Sequence, residues 1–261
     1  MRLAAAFASA ARRRPAFIPY VMAGDPDMET TATVVRALSQ AGATAIELGI
    51  PYGDPLADGP TIAAAGARAL AAGATIEDVF ALVARVAPEI SASIVLFTYF
   101  NPLERYGLER FARDAAQAGA AGAIVPDIPL EESEELRAIF ARYSVDVPML
   151  VAPSTPPERA AKIAAASRGF LYVVSRLGVT GAGSEPDFTP LHRQISTVRA
   201  ATDLPIALGF GVSRSEHVRA VAAEVDAVIV GSALIDALAG LRGEEAAAAT
   251  ARFVNELFSG S

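Results

Sequence analysis

The sequence predicts a (β/α)8 barrel, and three observations carry that prediction. Short β-rich runs alternate with longer alanine-rich helical runs along the whole 261-residue chain, a pattern typical of parallel strands joined by helical crossovers. We count eight such units, and about 250 residues is the usual size of a closed barrel. A doubly wound open sheet is the alternative, but it rarely needs eight evenly spaced units. No linker or low-complexity tail divides residues 1–261, so we expect a single domain.

Each predicted strand is a short run rich in branched and aromatic residues. The strands are FIPYVM (17–22), TAIELGI (44–50), SIVLFTY (93–99), GAIVPD (122–127), DVPMLVA (146–152), FLYVVS (170–175), LPIALGF (204–210) and DAVIVGS (226–232). Between them lie stretches with helical spacing of apolar residues. Clear examples are 28–40, 103–117, 131–142, 157–167, 213–222 and 244–258.

The first residues, MRLAAAFASAARRRPAF, are basic and lack acidic side chains, which gives them some likeness to a transit peptide. The first strand already begins at Phe17, which leaves little chain to cleave. We therefore expect an N-terminal helix that buries Leu3 and Phe7.

Composition argues against several classes of function. The net charge of −7 is unsuited to a nucleic-acid surface. The absence of cysteine rules out disulfides and thiolate metal sites. No apolar run approaches the roughly 20 residues that span a bilayer. We expect a cytoplasmic protein that binds neither nucleic acid nor membranes.

The supply of reactive side chains narrows the chemistry further. The one lysine, Lys162, lies on a predicted outer helix, which excludes a Schiff-base aldolase or a pyridoxal enzyme that uses its own lysine. His192 and His217 both fall in helical segments, so we expect surface histidines and no catalytic metal site. Carboxylates, tyrosines and backbone amides remain, and they suit cofactor-free proton transfer.

Glu47 is the unusual residue of the strand TAIELGI, because ionised carboxylates are almost never buried without compensation. Side chains on a strand alternate, so the three branched residues share one face while an alanine, Glu47 and a glycine share the other. We expect the second face to point into the barrel, where burial would raise the pKa of Glu47 toward the range of an acid/base group. The alternative is a structural glutamate bonded to backbone amides.

Glycine-containing segments follow the last three strands: GVTGAG (178–183), GFGVS (209–213) and GSAL (231–234). Glycine lets a backbone approach a ligand, and barrels of this type often bind phosphate after strands seven and eight. One such glycine would indicate a turn, but three in these places favour a phosphorylated ligand. The long loops 51–59 and 176–190 follow strands on the same face, so we expect them at the mouth of the barrel.

Six segments together resemble the tryptophan synthase alpha chain family, in the order the family has them and over nearly the whole chain. They are IPYVMAGDP (18–26), IELGIPYGDPLADGPTI (46–62), YFNPLERYG (99–107), VPDIPLEE (125–132), YVVSRLGVTGA (172–182) and LGFGVS (208–213). The resemblance implies a (β/α)8 TIM-barrel lyase of tryptophan biosynthesis that cleaves indole-3-glycerol phosphate to indole and glyceraldehyde 3-phosphate. It also implies no cofactor in this chain and a beta-chain partner, in an α2β2 assembly, that holds pyridoxal phosphate.

The resemblance assigns site residues one by one. It implies that Glu47 is the general acid/base and that Asp58 is the second catalytic carboxylate, although Asp58 could instead cap the following helix. Tyr172 matches an active-site tyrosine, with a core tyrosine as the alternative, and Thr180 matches a threonine that reaches the aspartate when the site closes. The implied substrate contacts, some of which could be ordinary core, are Tyr20, Ile62, Phe97 and Phe210 for the ring and Gly181, Gly211, Gly231 and Ser232 for the phosphate.

The chain departs from the family pattern at Gly53, Tyr20 and Gly183, where serine, phenylalanine and a charged residue are usual. These departures bear on loop stiffness and partner coupling rather than on the reaction. Three other functions stay open: a stand-alone lyase that releases indole, a phosphosugar isomerase, and an idle subunit that only activates a partner. The paired carboxylates argue against the isomerase and the idle subunit. Gel filtration with a beta chain would distinguish a stand-alone lyase from a subunit that binds a beta chain.

Overall fold

The strands form a closed parallel barrel in a computed structural model that describes residues 3–9, 15–174, 189–209 and 211–259. The strands are β1 Ala16–Met22, β2 Ala45–Gly49, β3 Ser93–Phe97, β4 Gly122–Ile124, β5 Met149–Val151, β6 Leu171–Val174, β7 Ile206–Gly209 and β8 Ala227–Val230. Their order is β4-β3-β2-β1-β8-β7-β6-β5. A parallel bridge between Gly122 and Asp146 closes the ring between β4 and the segment before β5. The predicted barrel is confirmed.

Helices surround this ring, and the described ones match most of the predicted stretches. They are α1 Leu3–Ser9, α2 Met28–Gln40, α3 Pro60–Ala71, α4 Ile76–Val86, α5 Phe100–Tyr106, α6 Leu108–Ala118, α7 Glu134–Arg142, α8 Pro157–Ala166, α9 Thr189–Arg199, α10 Ser215–Val221, α11 Ser232–Leu238 and α12 Gly243–Leu257. Among the described residues, no helix combines the length and the apolar character that a membrane span requires.

One predicted helix is wrong in its continuity. The stretch 103–117 belongs to two helices, α5 and α6, because the chain turns at Gly107 with φ of 93°. Residues with a side chain rarely adopt that conformation, so the glycine allows the break. The predicted helix 131–142 begins later, at Glu134, after a short 3₁₀ turn at Leu130–Glu132.

Two apolar clusters fill the protein, one on each face of the strands. Ile46 and Leu48 of β2 belong to the outer cluster between barrel and helices, while Ala45 belongs to the inner cluster within the barrel. The predicted alternation of β2 is therefore confirmed. Parallel strands covered on both faces need apolar residues on both, and the alternation leaves the inner face of β2 for Glu47.

Helix α1 packs against the inner cluster as predicted. Leu3 is fully buried, and Phe7 is partly buried with its ring centroid 5.7 Å from that of Phe170. The Leu3 amide donates to the Asp146 carboxylate at 3.2 Å. That all 261 residues form one domain stays a prediction.

Candidate active site

A cavity of about 620 Å³ lies at the carboxyl ends of the strands, where barrels of this type hold their active sites. The volume suits a small organic ligand. Nine of the twelve residues predicted for the site line this cavity. They are Tyr20, Glu47, Asp58, Ile62, Phe97, Tyr172, Gly211, Gly231 and Ser232.

The other three predicted residues, Thr180, Gly181 and Phe210, lie outside the described residues. The same holds for most of the predicted loop 176–190 and for Gly183. Their roles stay predictions.

Glu47 is buried in the cavity wall, with 1% of its surface exposed. Its Oε1 atom has no hydrogen-bond partner among the described residues. The alternative of a glutamate tied to backbone amides therefore finds no support at this oxygen. Burial raises the pKa of the Glu47 carboxyl to about 8. A buried polar atom left without a partner is uncommon, and here it belongs to a residue that lines a space a ligand can fill.

Two tyrosines line the wall near Glu47, and each lies over a glycine of the neighbouring strand. A Cβ atom added to Gly49 would come within 2.1 Å of the Tyr20 hydroxyl, and one added to Gly209 within 2.4 Å of the Tyr172 hydroxyl. Only glycine leaves room for these rings. Tyr20, one of the departures from the family pattern, thus fits because Gly49 lies beside its additional hydroxyl. Burial and the nearby carboxylates raise the pKa of both tyrosines.

Asp58 lies at the end of the loop between β2 and α3 and is half-buried. Helix α3 has Gly59 as its N-cap and no side-chain cap bond, so the alternative that Asp58 caps this helix is wrong. Beside Asp58, the Tyr99 hydroxyl accepts a hydrogen bond from the Ala57 amide at 3.1 Å. Burial raises the pKa of Asp58 to about 6, and the nearby Tyr99 hydroxyl opposes that rise.

The two carboxyl groups therefore differ in protonation at neutral pH. With a pKa of about 8, Glu47 keeps its proton, whereas Asp58, with a pKa of about 6, is ionised. Paired carboxyl groups whose environments separate their pKa values are a recurrent sign of an acid and a charge-stabilising partner. The arrangement can donate a proton from one group and stabilise a cation with the other.

The segments that follow β7 and β8 also line the cavity. Gly211, Ser213 and Arg214 come from the first segment, and Gly231 and Ser232 from the second. The Arg214 side chain is exposed and takes part in no ion pair with a described residue. Small residues, backbone amides and a guanidinium suit an anion.

The expectation of a surface position is wrong for His217. This residue is 9% exposed, lines the cavity, and places Nδ1 3.1 Å from the Gly211 carbonyl and 3.3 Å from the Ser213 amide. It lies in the first turn of α10, where its ring folds back over the preceding loop rather than outward. His192 is a partly exposed histidine that faces Glu224.

Sequence reasoning missed Tyr99, Arg214 and His217. Strand alternation was a usable signal for Tyr99, because it lies two residues beyond Phe97 and so on the same side of the strand. Arg214 and His217 carry no such signal. Within the described ranges, no three histidine, aspartate or glutamate side chains form a group that could hold a metal ion.

Comparison with known proteins agrees with the geometry. The family model for the tryptophan synthase alpha chain matches residues 7–259. The alpha chain of Rippkaea orientalis is 48% identical over 247 residues, covering 94% of this chain and 92% of that protein.

Two solved structures are also similar to this chain, tryptophan synthase from Mycobacterium tuberculosis and the tryptophan synthase complex from Pyrococcus furiosus. The first has a TM-score of 0.88 and 39% identity, covering 99% of this chain and 97% of that one. The second has a TM-score of 0.86 and 34% identity, covering 95% and 99%. The chain therefore belongs to the tryptophan synthase alpha chain family.

Proposed function

We propose that this cavity cleaves indole-3-glycerol phosphate to indole and glyceraldehyde 3-phosphate, with Glu47 as general acid/base and Asp58 as the stabilising carboxylate. As a member of its family the chain is a carbon–carbon lyase of tryptophan biosynthesis. The observation that carries the residue assignment is that Glu47 and Asp58 line one cavity, with the buried Glu47 Oε1 left without a hydrogen-bond partner among the described residues.

The proposed reaction moves one proton in each direction through the Glu47 carboxyl. The protonated acid donates to indole C3, and the ring becomes a cation with a C=N bond. The carboxylate so formed then accepts the proton of the hydroxyl next to C3, while the carbon–carbon bond breaks. The bonding electrons return to the ring, and the departing fragment becomes an aldehyde. Glu47 ends protonated again, so the cycle needs no external acid or base.

Asp58 would accept a hydrogen bond from the indole N–H and stabilise the positive charge that forms on the ring. Such a role requires the ionised form, which the pKa of about 6 provides at neutral pH. Thr180 is proposed to contact Asp58 when the site closes, as the family resemblance implies. Tyr172, which also lines the cavity, is proposed to contact substrate.

The two ends of the substrate differ in chemistry, and the cavity wall offers residues suited to each. We assign the indole ring to Tyr20, Ile62 and Phe97, which are apolar or aromatic and line the cavity, together with Phe210. The phosphate is assigned to backbone and small side chains after β7 and β8. Those residues are Gly211, Gly231 and Ser232, with Gly181 from the loop after β6.

The chain alone is expected to release indole from indole-3-glycerol phosphate after exhaustive dialysis against a chelator, and to show no pyridoxal absorbance. The reason is that Glu47 and Asp58 supply the proton and the charge without a cofactor. Spectrophotometric detection of indole measures this directly. Activity that returns only when a metal ion is added contradicts the cofactor-free proposal, and no activity in any buffer contradicts the proposed function.

Arg214→Gln is expected to raise KM for indole-3-glycerol phosphate about tenfold with little change in kcat, because a charge-assisted contact to the phosphate is lost in ground and transition state alike. Arg252→Gln is the matched control, since Arg252 is exposed on α12 and does not line the cavity. Steady-state kinetics with unphosphorylated indole glycerol should show no difference between wild type and Arg214→Gln. If wild type and Arg214→Gln have equal KM values for the phosphorylated substrate, Arg214 does not bind the phosphate.

We also propose that the partner is a tryptophan synthase beta chain, in an α2β2 assembly in the cytoplasm, and that pyridoxal phosphate belongs to that partner. The similar structure from Pyrococcus furiosus, which is a tryptophan synthase complex, supports a partner. Separate elution of the two chains in gel filtration favours the stand-alone lyase.

A further inference from the structure

The segment that follows β7, residues 211–213, is bonded to the ring of His217 on the next helix. Val212 is buried in the outer apolar cluster and anchors the middle of the segment. Among the described residues, no backbone–backbone hydrogen bond involves residues 211–213. Gly211 and Ser213, on either side of Val212, instead contact the imidazole of His217. The orientation of the segment therefore depends on that ring.

Both contacts use the same ring atom. Nδ1 of His217 lies 3.1 Å from the Gly211 carbonyl oxygen and 3.3 Å from the Ser213 amide nitrogen. A ring nitrogen without a proton accepts a hydrogen bond, and one with a proton donates, as Nδ1 does in one neutral tautomer and in the cation. Unprotonated Nδ1 thus accepts the Ser213 amide, whereas protonated Nδ1 donates to the Gly211 carbonyl. One state cannot serve both groups.

The protonated state leaves the Ser213 amide in need of another acceptor. Its hydrogen then faces the hydrogen on Nδ1, with the two nitrogens 3.3 Å apart, and the two partial positive charges repel. Ser213 is exposed and lines the cavity, as do Gly211 and Ser232. A phosphate oxygen bound among these residues would accept from the Ser213 amide, and such a charge-assisted bond is stronger than one between neutral groups.

We propose that His217 is a positioning residue for the substrate phosphate: its protonated Nδ1 holds the Gly211 carbonyl, and the Ser213 amide is thereby released to bind the phosphate. The inference rests on the proposed function and adds the side chain that orients its phosphate site. A peptide unit is planar, so the bond to the carbonyl also fixes the peptide between Gly211 and Val212. The carbonyl oxygen is then directed at the ring instead of at the anion.

Two substitutions separate the role of Nδ1 from the packing of the ring. Asparagine branches at the same carbon as histidine, so its amide places a donor close to the position of Nδ1, whereas leucine fills the space without a polar atom. His217→Leu is expected to raise KM for indole-3-glycerol phosphate about five- to tenfold with little change in kcat. His217→Asn should stay within about twofold of wild type, because the bond to the carbonyl is restored.

His192→Leu is the matched control, because His192 is partly exposed and does not line the cavity. Its KM should equal that of wild type. Unphosphorylated indole glycerol should be cleaved with the same kcat/KM by wild type and by all three variants, since it lacks the group that His217 serves. A loss in His217→Leu of equal size for both substrates would show a merely structural role and overturn the proposal.

Nitrogen-15 NMR of the imidazole ring tests the proposal without using activity. In the complex with glycerol 3-phosphate, Nδ1 of His217 is expected at the chemical shift of a protonated nitrogen. The chain has two histidines, so His192→Leu leaves one ring to observe. Titration calorimetry should show a Kd for glycerol 3-phosphate about five- to tenfold weaker in His217→Leu than in wild type.

Three results overturn the proposal: an unprotonated Nδ1 in the complex, equal KM values for the phosphorylated substrate in His217→Leu and wild type, or no binding of glycerol 3-phosphate to wild type. Wild type that binds glycerol 3-phosphate but releases no indole would overturn the proposed function instead. The NMR and calorimetric results would then still decide whether His217 orients the phosphate site.

Discussion

Glu47→Gln is expected to abolish indole release while the barrel stays folded. The glutamine has nearly the same shape and is neutral, as the buried Glu47 is at neutral pH, so packing is preserved. It can neither give a proton to indole C3 nor take one from the hydroxyl. Loss of a general acid/base lowers the rate about 10²- to 10⁴-fold. The measurement is kcat for indole release, with circular dichroism as the check of folding.

Glu158→Gln is a matched control for this substitution, because Glu158 is exposed on α8 and remote in sequence from the residues that line the cavity. Its turnover should equal that of wild type. If Glu47→Gln retains more than about a tenth of wild-type turnover, the loss falls short of any general acid/base and another group moves the proton.

The same variant should change how stability depends on pH. The folded-state pKa of about 8 exceeds the ordinary value of 4.5, so between these values the folded state holds a proton that the unfolded state has released. The free energy of unfolding contributed by Glu47 is therefore complete below pH 4.5 and is lost as the pH rises toward 8. Glu47→Gln removes this dependence. Urea unfolding at pH 5 and pH 8.5 should show a smaller loss of stability for the variant than for wild type.

Asp58→Asn is expected to lower kcat about 10²- to 10³-fold, the usual cost of removing a group that stabilises transition-state charge. An amide can accept a hydrogen bond from the indole N–H but brings no negative charge to the cationic ring. The measurement is again kcat for indole release, and the effect should persist from pH 6 to pH 8 because the asparagine does not titrate.

Asp54→Asn provides the control within the same loop. Asp54 is exposed and does not line the cavity, so its substitution removes one charge from the loop without touching the site. Its kcat should match that of wild type. Near-normal activity of Asp58→Asn would show that Asp58 is dispensable, and a comparable loss in Asp54→Asn would show that the loop's net charge matters rather than the position of one carboxylate.

The sequence predicted the fold because local pattern and global architecture agree in a barrel. Every strand fell at a predicted run, and the alternation in β2 placed Glu47 on the inner face, where the structure has it. Helix continuity between residues 103 and 117 was harder to predict. From the sequence alone, Gly107 could be a glycine tolerated inside one helix or a glycine in a turn between two. The structure shows the turn, with a positive φ at Gly107 between α5 and α6.

The site was predictable where a side chain lies on a strand or matches a family motif, and less so where contacts come from distant elements. The Tyr99 hydroxyl contacts the Ala57 amide across 42 positions of sequence, a contact that the pairing of β2 with β3 creates. The prediction for His217 was wrong because a polar residue on a short helix is usually exposed. Here the imidazole ring is buried against the preceding loop, where it contacts the Gly211 carbonyl. Arg214 had no periodic signal, since it lies in a turn.

The pH dependence of kcat/KM for indole release by wild type is the decisive measurement, because it reports the essential acid and base of the free enzyme. We expect a bell-shaped profile with an acid limb near pH 6, where Asp58 loses its charge, and a basic limb near pH 8, where Glu47 loses its proton. The substrate phosphate also titrates near pH 6, so the basic limb is the decisive one. A fall in rate between pH 7 and 9 supports a buried, protonated Glu47 as the acid. A rate that is constant or still rising over that range contradicts it.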